Sequence, residues 1–437
     1  MKVMSKLMLA TAALLAAPGL AQAECGIAKG AISILSNDFP ALHAVAAEAE
    51  KCAGGAVTFK KNQTKDHESL QVAALKASPA AYTAAVVANS SILPLLNDGL
   101  IRPLDDLVAK YGQGLKKTQL VTINGKVMGI AFMANAQHLF YRADILEKAG
   151  VGVPKTYEEM LAAAKVIKEK GLMANPIGGT YKAGWNLAEE FVNMYLGTGG
   201  SFFKEGTADA AINNANGVAA LTMMKSLSEN MNPDFLTFDS NALQAEFEAG
   251  KVAMANFWGS RAGAVTDAEG STPEITGAIK FAAAPTVGGG SIPATTLWWD
   301  GFTISKNISD EDADATFQAL VHGISGSMAN ANADKAVWLI DGYTPGVTAA
   351  GVTASADAGA KPYPMVPQMD LLHTALGEAL GDFTGVADAH HVGDAAAQYL
   401  GRQRHVAHLR HARVALRPAV LQNQHAGLVD EIGRAHV

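Results

Sequence analysis

The sequence predicts an α/β fold in which helices cover a parallel sheet. From Gly30 onward, β-like segments alternate with helix-like segments, and strands that are joined by helices run parallel. The chain has 437 residues, of which 49% are hydrophobic. This length and composition suit a soluble globular protein of roughly two or three domains. No internal repeat is visible.

The first elements alternate strictly, and each is bounded by turn-forming residues. We predict strands at 31–35, 56–60 and 84–88, and helices at 41–51 and 66–77. Ligands of parallel sheets bind at the carboxyl ends of the strands, which points to the loops 36–39, 62–67 and 89–91. At Asp66 and Ser90 we expect helix caps rather than ligand contacts.

The later elements have clear start signals. Asn124-Gly125 predicts the two-residue turn of a hairpin over 121–130. Thr156 and Glu159 form a capping box that opens a helix. Further strands are predicted at 137–141, 251–255 and 301–305, and further helices at 185–196, 217–229, 240–249 with Ser240 as cap, from Ser309 onward, and at 367–380. Glu189 and Glu190 are expected on a solvated helix face.

The N-terminus has the order of a secretory signal. A short basic region precedes an apolar run at 7–17, which is too short to span a bilayer, and Ala21-Gln22-Ala23 predicts cleavage after Ala23. Glu24 lies where a lipoprotein signal would place a small residue, which disfavours a lipid anchor on Cys25. We expect the mature chain to be free in an oxidising space outside the cytoplasm.

The cysteines are Cys25 and Cys52. In an oxidising compartment they are most simply a disulfide, which contributes on the order of 3 kcal/mol for a loop of this size. A metal pair is less well supported, because no His or Asp lies at ligand spacing beside either cysteine.

The segment 389–437 is different in composition: it is rich in Arg and His and contains no Lys. A shifted reading frame or a vector extension explains this change, and a basic or metal-binding tail is the alternative. We place no site there.

Aromatic and polar residues concentrate in two short stretches. Trp258 and Arg261 lie in the first, and Trp298, Trp299 and Asp300 in the second. Tryptophans next to polar residues suit a partly wet cleft, although ordinary core packing explains them too. Asn135, Trp185 and His67 are further candidates. Trp185 suits core or cleft, and for His67 an ordinary surface residue at a helix start is the better-supported alternative.

Motifs for catalysis are absent from the sequence. It contains no Gly-x-Ser-x-Gly, Walker loop, His-Glu-x-x-His or Cys-x-x-Cys. A carboxylate pair of the glycosidase type depends on distances that a sequence does not show. We therefore expect a binding protein with no cofactor and no metal, and not an enzyme. The net charge of −7 argues against a nucleic-acid partner.

Several stretches, in this order, resemble the family 1 extracellular solute-binding proteins of ABC transporters, the group that includes the maltose-binding protein. The resemblance covers roughly residues 26 to 388, and its motifs are Gly125-Lys-Val-Met-Gly-Ile130, Leu139-Phe-Tyr-Arg-Ala-Asp144, Val153-Pro-Lys-Thr156, Phe247-Glu-Ala-Gly-Lys-Val-Ala-Met254 and Pro364-Met-Val-Pro-Gln-Met369.

The resemblance implies two α/β lobes whose chain crosses three times, with the ligand between them. One lobe would contain 24–133 and 284–328, and the other 134–283 and 329–388. Hinge closure would present the loaded protein to an inner-membrane ABC permease. With the secretory signal, we expect a periplasmic protein, and we expect it to be a monomer. Carried over by position, it implies ligand contacts at Asn37, Asp38, Asn89, Trp258, Trp299, Asp300 and Tyr343. The sequence departs from the family at Ala81-Tyr82, where relatives have Pro-Asp, and in the anomalous tail.

The candidate residues suit a mono- or oligosaccharide. A pyranose has an apolar face that rests on a Trp ring and a rim of hydroxyls that pair with Asp, Asn and Arg. Arg261 is equally suited to an acidic sugar or to holding Asp300. The alternatives are a secreted carbohydrate-active enzyme, and the same fold with a polyamine, an amino acid or a metal as cargo.

Overall fold

The computed structural model describes residues 25–205, 207 and 209–380. The predicted signal peptide, 1–23, and the predicted tail, 389–437, lie outside the described residues. Each helix in the described part of the chain is too short or too polar to cross a membrane.

The strands of the described chain are, in order, β1 Lys29–Ser36, β2 Ala56–Gln63, β3 Ala84–Ala88, β4 Leu120–Ile123, β5 Lys126–Asn135, β6 Gln137–Arg142, β7 Ile177–Gly178, β8 Met254–Trp258, β9 Ile279–Ala282, β10 Thr296–Ile304, β11 Val337–Trp338 and β12 Lys361–Pro362.

The α-helices of the same residues are α1 Pro40–Glu50, α2 His67–Lys76, α3 Ile92–Asn97, α4 Asp105–Tyr111, α5 Ala143–Ala149, α6 Tyr157–Glu169, α7 Trp185–Gly197, α8 Ala215–Ser228, α9 Ser240–Glu248, α10 Ala262–Thr266, α11 Pro273–Thr276, α12 Asp310–Gly323, α13 Gly326–Ala331, α14 Ala350–Asp357 and α15 Pro367–Ala379. A short 3-10 helix, Gly259–Arg261, follows β8.

The strands form two sheets. The larger has the order β11-β5-β10-β3-β1-β2, with β12 beside β10 and β4 beside β5, and the smaller has the order β7-β8-β6-β9. Within the larger sheet, β1 runs parallel to β2 and β3, which confirms the prediction from alternating strands and helices. The strands β5 and β10 join this sheet in the antiparallel sense.

The predicted hairpin is formed by β4 and β5. Asn124 has a φ of 53° and Gly125 a φ of 75°, the two positive angles that a type I′ turn requires. Gly adopts a positive φ without steric cost, and Asn tolerates it better than most residues, so the Asn-Gly dipeptide favours this two-residue turn.

The chain passes between the sheets at well-defined points. It leaves the larger sheet at the end of β5, and β6 of the smaller sheet begins two residues later at Gln137. It returns between β9 and β10. We expected residues 329–388 to accompany the smaller sheet, yet β11 pairs with β5 and β12 with β10. Helix α15 packs on α7. The assignment of residues to two lobes remains a prediction.

Buried side chains form clusters on both sheets. Phe140, Phe247 and Phe257 are fully buried in the cluster around the smaller sheet, with ring centroids 5.2 to 6.0 Å apart. Phe302 and Phe317 lie in a cluster on one face of the larger sheet. Side chains alternate along β10 and pack in clusters on opposite faces of the strand, so the face on which a tryptophan lies determines what it contacts.

The ends of the elements follow local chemistry. Thr156 accepts from the Glu159 backbone N–H at 3.0 Å, as the capping box predicts. The cap of α9 is Asp239, which accepts from the backbone N–H groups of Asn241 and Ala242, and not Ser240 as predicted. The predicted disulfide between Cys25 and Cys52 is present, with a Cα to Cα distance of 5.1 Å. It ties the start of β1 to the end of α1.

Candidate functional site

A cavity of about 660 Å³ lies between the two sheets. The loops after β1 and β2, the start of α2 and part of β10 line it from the larger sheet. The end of β8, the 3-10 helix that follows it and the first residues of α7 and α9 line it from the smaller sheet. Helix α15 contributes Asp370 and Thr374. A cavity that both sheets line is one whose shape changes when the sheets move relative to each other.

Most of the predicted site residues lie together at this cavity. The side chains that line it are Asn37, His67, Asn135, Trp185, Trp258, Arg261, Trp298 and Asp300. They come from six separate stretches of the chain, so the fold collects residues that the sequence separates by up to 263 positions, from 37 to 300.

Asp38, Asn89, Trp299 and Tyr343 do not line the cavity. Asp38 Oδ1 lies 2.6 Å from His43 Nε2 at the surface. Asn89 is buried, and its Nδ2 donates to the Leu297 carbonyl at 3.1 Å, so it joins β3 to β10. Tyr343 donates its hydroxyl proton to the carbonyl of Ala336 at 3.0 Å.

Trp299 is absent from the cavity because of strand geometry. Neighbouring residues of a strand point to opposite faces. Trp298 and Asp300 are two positions apart and both reach the cavity, whereas Trp299 is only 2% exposed and packs in an apolar cluster on the other face. Trp338 is also buried in the core, and its indole N–H donates to the Asn332 carbonyl at 2.9 Å.

Three tryptophans form an aromatic group in the cavity wall. The ring of Trp185 lies 6.3 Å from that of Trp258 and 5.7 Å from that of Trp298, and the rings of Trp258 and Trp298 are 6.0 Å apart. Trp185 is 39% exposed and stacks on His373 at 5.0 Å. Together they offer flat apolar surface beside polar groups.

Behind Trp298 lies a buried polar network that sequence reasoning placed wrongly. Glu189 and Glu190 are buried, at 1% and 6% exposed, and not on a solvated face. The Trp298 indole donates to Thr296 Oγ1 at 2.7 Å and to Glu189 Oε1 at 3.2 Å. Burial raises the pKa of both glutamates. The network therefore fixes the orientation of the Trp298 ring.

Glu190 is the more fully hydrogen-bonded of the two acids. It accepts from Gln137 Nε2 at 3.0 Å, from the Thr180 backbone N–H at 3.3 Å and from the Thr180 hydroxyl. Gln137 belongs to β6 and Thr180 follows β7, so Glu190 joins α7 to the smaller sheet.

One part of the cavity wall is acidic. Glu68, Asp300 and Asp370 all line it. Burial, together with the neighbouring Glu68, raises the pKa of Asp300 to about 7. Burial also raises the pKa of Glu68 to about 7, opposed by a hydrogen bond from the Ser90 hydroxyl at 2.8 Å. The Ser90 side chain therefore stabilises Glu68 by this hydrogen bond, and Ser90 is not the helix cap that we predicted.

Another part of the wall is basic. Lys65, Lys182 and Arg261 line it together with Asp239. Lys182 Nζ lies 3.3 Å from Asp239 Oδ2. Burial and the neighbouring Arg261 lower the pKa of Lys65 to about 8. Burial lowers the pKa of Arg261 to about 10, so this guanidinium stays charged at neutral pH.

Asn135 positions the segment that carries Arg261. Its Oδ1 accepts from the Ser260 backbone N–H at 3.1 Å, and its Nδ2 donates to the Ser260 hydroxyl at 3.2 Å. These bonds join the last residue of β5 to the 3-10 helix after β8. Asn135 thus acts at the point where the two sheets meet.

Sequence reasoning missed most of the charged lining. The missed residues include Lys65, Glu68, Lys182, Asp239 and Asp370. Lys65 lies in the loop 62–67, which follows a predicted strand, so its position at the strand end is the signal that points to it. Glu68 lies one residue beyond it in α2, and no motif marks Asp370.

One metal-ligating group occurs among the described residues. Cys25, Cys52 and His322 are close enough to share an ion, but the disulfide occupies both sulfurs. Cys25, Cys52 and His322 do not line the cavity.

Comparisons with known proteins agree with this architecture. The family model described as bacterial extracellular solute-binding protein matches residues 34–322. A probable ABC transporter-binding protein of Deinococcus radiodurans is 29% identical over 185 residues, which is 40% of this chain and 42% of that protein. The match thus spans less than half the length of this curated relative.

Solved structures share the fold. An ABC transporter solute-binding protein of Agrobacterium radiobacter in complex with ribitol has a TM-score of 0.74 at 20% identity, covering 86% of this chain and 98% of that one. Maltose-bound MalE3 of T. maritima has a TM-score of 0.73 at 18% identity, covering 85% and 99%.

Proposed function

The chain belongs to the family of bacterial extracellular solute-binding proteins, and from that premise we propose that it is the sugar-binding component of an ABC importer. It binds a mono- or oligosaccharide in the cavity between the two sheets and delivers it to an inner-membrane permease. It works in the periplasm as a monomer after removal of residues 1–23, without a cofactor and without a nucleic-acid partner.

The aromatic group in the cavity wall is the observation that carries the proposal. Trp185, Trp258 and Trp298 lie within 6.3 Å of one another by ring centroids and share the cavity with amides, carboxylates and cations. Sugar rings have apolar faces and polar edges, so they use both kinds of surface at once. A metal ion would use the carboxylates but leave the tryptophans without a role.

The ligands of similar proteins support the same class. The structures with the same fold hold ribitol and maltose, which are polyhydroxylated and uncharged. The size of the cavity, about 660 Å³, lies within the usual range of roughly 300 to 1,000 Å³ for small-molecule sites. Closure of the sheets around the solute would present a changed surface to the permease.

Calorimetric titration of the mature chain tests the proposal. The panel contains neutral and acidic sugars, sugar alcohols, polyamines and amino acids. We expect one-to-one binding of a sugar or sugar alcohol, a loss of that binding in Trp258→Ala, and unchanged binding in Asp357→Asn, which alters an exposed acid outside the cavity lining. Binding of a polyamine or amino acid in place of any sugar would reject the sugar and keep the fold.

The acidic part of the wall favours a second candidate, a carbohydrate-active enzyme. Glu68 and Asp300 both have a pKa of about 7, raised by burial, which is the range of a general acid. Incubation of bound oligosaccharide with the protein decides between the two. Recovery of intact sugar supports the binding protein, and stoichiometric excess of cleaved product supports the enzyme.

A further inference from the structure

Two buried arginines of this protein are paired very differently. Arg142 and Arg261 are both 7% exposed. Arg142 makes two parallel hydrogen bonds to Asp144, each of 2.8 Å, through Nε and Nη2. Arg261 donates from Nη1 to the neutral Gln244 amide at 3.1 Å, and no other described residue accepts a hydrogen bond from it. Its remaining N–H donors have no acceptor among the described residues, and they are open to the cavity rather than enclosed in the core.

The acids nearest to Arg261 are engaged elsewhere. Asp239 accepts from the backbone N–H groups of Asn241 and Ala242 at 3.0 and 3.1 Å and pairs with Lys182. Asp38 pairs with His43. Glu248 accepts from Gln244 Nε2 at 2.7 Å. They attract Arg261 through space, but none of them accepts a hydrogen bond from it.

The guanidinium of Arg261 lines the cavity, where a ligand can reach its N–H groups. Its planar fork matches two oxygens of a carboxylate better than a single hydroxyl. Lys65, a second cation, lies close enough to repel it and lines the same cavity. Both cations bring positive charge to the place where an anionic group of a ligand would lie.

Resting on the proposed function, we propose that the solute is an acidic sugar whose carboxylate is bound by Arg261 with help from Lys65. Glu68, Asp300 and Asp370 repel a carboxylate from the acidic part of the wall, so the sugar enters in one orientation. Its hydroxyls lie toward those acids and its ring lies against the tryptophans. A sugar phosphate is disfavoured, because its second negative charge would add repulsion from the carboxyl groups of Glu68, Asp300 and Asp370.

Titration calorimetry with matched sugars tests this inference. Each set is built on one sugar ring, glucose or galactose, and contains its uronic acid, the neutral sugar, the amino sugar and the 6-phosphate. Disaccharides that contain the corresponding uronate serve as longer probes. In at least one set we expect the uronate to bind most tightly. Arg261→Gln should weaken that uronate about 100-fold while weakening the neutral sugar much less, because only the carboxylate loses its charged partner.

Two further variants separate geometry from charge. Arg261→Lys keeps the charge but not the fork, and we expect about a 10-fold loss for the uronate. Lys165→Gln removes one positive charge from an exposed site of α6 outside the cavity lining and should leave every affinity unchanged. Thermal unfolding of each variant shows that the altered affinities belong to folded protein.

The outcomes distinguish the two proposals. Neutral or amino sugars that bind as tightly as uronates, a tightest binding by the phosphate, or an Arg261→Gln variant with an unchanged ratio would each overturn the acidic sugar. Tight binding of neutral sugars alone would leave the proposed sugar transport intact. Failure of all the sugars to bind folded protein would reject both proposals.

Discussion

Trp298 and Trp299 are neighbours in the chain, yet they belong to different parts of the molecule. They are 5% and 2% exposed, so burial does not distinguish them. Trp298 lines the cavity and donates its indole proton to a polar network, whereas Trp299 packs among apolar side chains on the opposite face of β10. The strand face, rather than the residue type or its exposure, thus separates a tryptophan that lines the cavity from one that packs in the core.

Removal of the core tryptophan, Trp299, should change stability more than any other substitution considered below. Trp299→Ala should lower the free energy of unfolding by about 3 to 5 kcal/mol, because it leaves a large cavity in an apolar cluster. Urea unfolding measures the loss. Ligand affinity of the remaining folded protein, measured at low temperature, should stay within about threefold of the parent, since the side chain lies on the face of β10 opposite to the cavity lining. A loss of affinity without a loss of stability would show that Trp299 acts at the cavity and not in the core.

The second effect concerns the polar network behind the cavity. Glu190→Ala should lower the free energy of unfolding by about 3 kcal/mol, because it leaves Gln137 and Thr180 as buried donors without their acceptor. Equilibrium unfolding in urea checks this, with Asp357→Asn as the exposed control. A variant as stable as the parent would show that water replaces the carboxylate and that the network is dispensable.

The fold was largely predictable because its signals are local. Asn124-Gly125 determines a turn, and Thr156 with Glu159 starts a helix, so neither depends on distant residues. Glu189 and Glu190 show the limit. Their burial depends on Gln137, Thr180 and Thr296, which come from other parts of the chain and cannot be paired with α7 from sequence alone.

The candidate site was predicted in part, for the same reason. Trp258, Trp298 and Asp300 stand out in sequence as aromatic and polar residues at strand ends, and all three reach the cavity. Trp299 looks identical to Trp298 in composition, and only the phase of β10 separates them. Asp370 belongs to α15, and no sequence motif indicates that this helix packs on α7.

The third effect is on ligand binding at the cavity face. Asp300→Asn should weaken the bound sugar about 30-fold, because a charged acceptor for its hydroxyls becomes a neutral amide. Stability at pH 8 should be unchanged or higher, since one of two neighbouring, partly buried carboxyls that repel each other is removed. Calorimetry and urea unfolding of the same samples check both parts. Loss of stability with unchanged affinity would place Asp300 with Trp299 rather than with Trp298.

The smallest effect is a difference in pH dependence between the parent and the Glu68→Gln, Asp300→Asn double variant. The pKa of each carboxyl is about 7 in the folded protein, against roughly 4 in an unfolded chain. Between these values the folded state holds the protons more tightly, so these groups reduce stability as pH rises from about 4 to about 7. Above pH 7 their contribution is constant.

Buried histidines act in the opposite sense in the same range, which is why the difference between the two proteins is the measured quantity. Burial lowers the pKa of His67 and His373 to about 4, so both add stability as pH rises toward 6.5. These histidines are common to both proteins and cancel in the difference. The double variant should gain on the order of 1 kcal/mol over the parent between pH 4.5 and 7.5, after allowance for partial exposure. Urea unfolding of the ligand-free proteins at each pH measures this gain. Parallel profiles would mean that the carboxyls titrate normally in the folded state, and the cavity face of β10 would then carry fully charged acids at every pH above about 5.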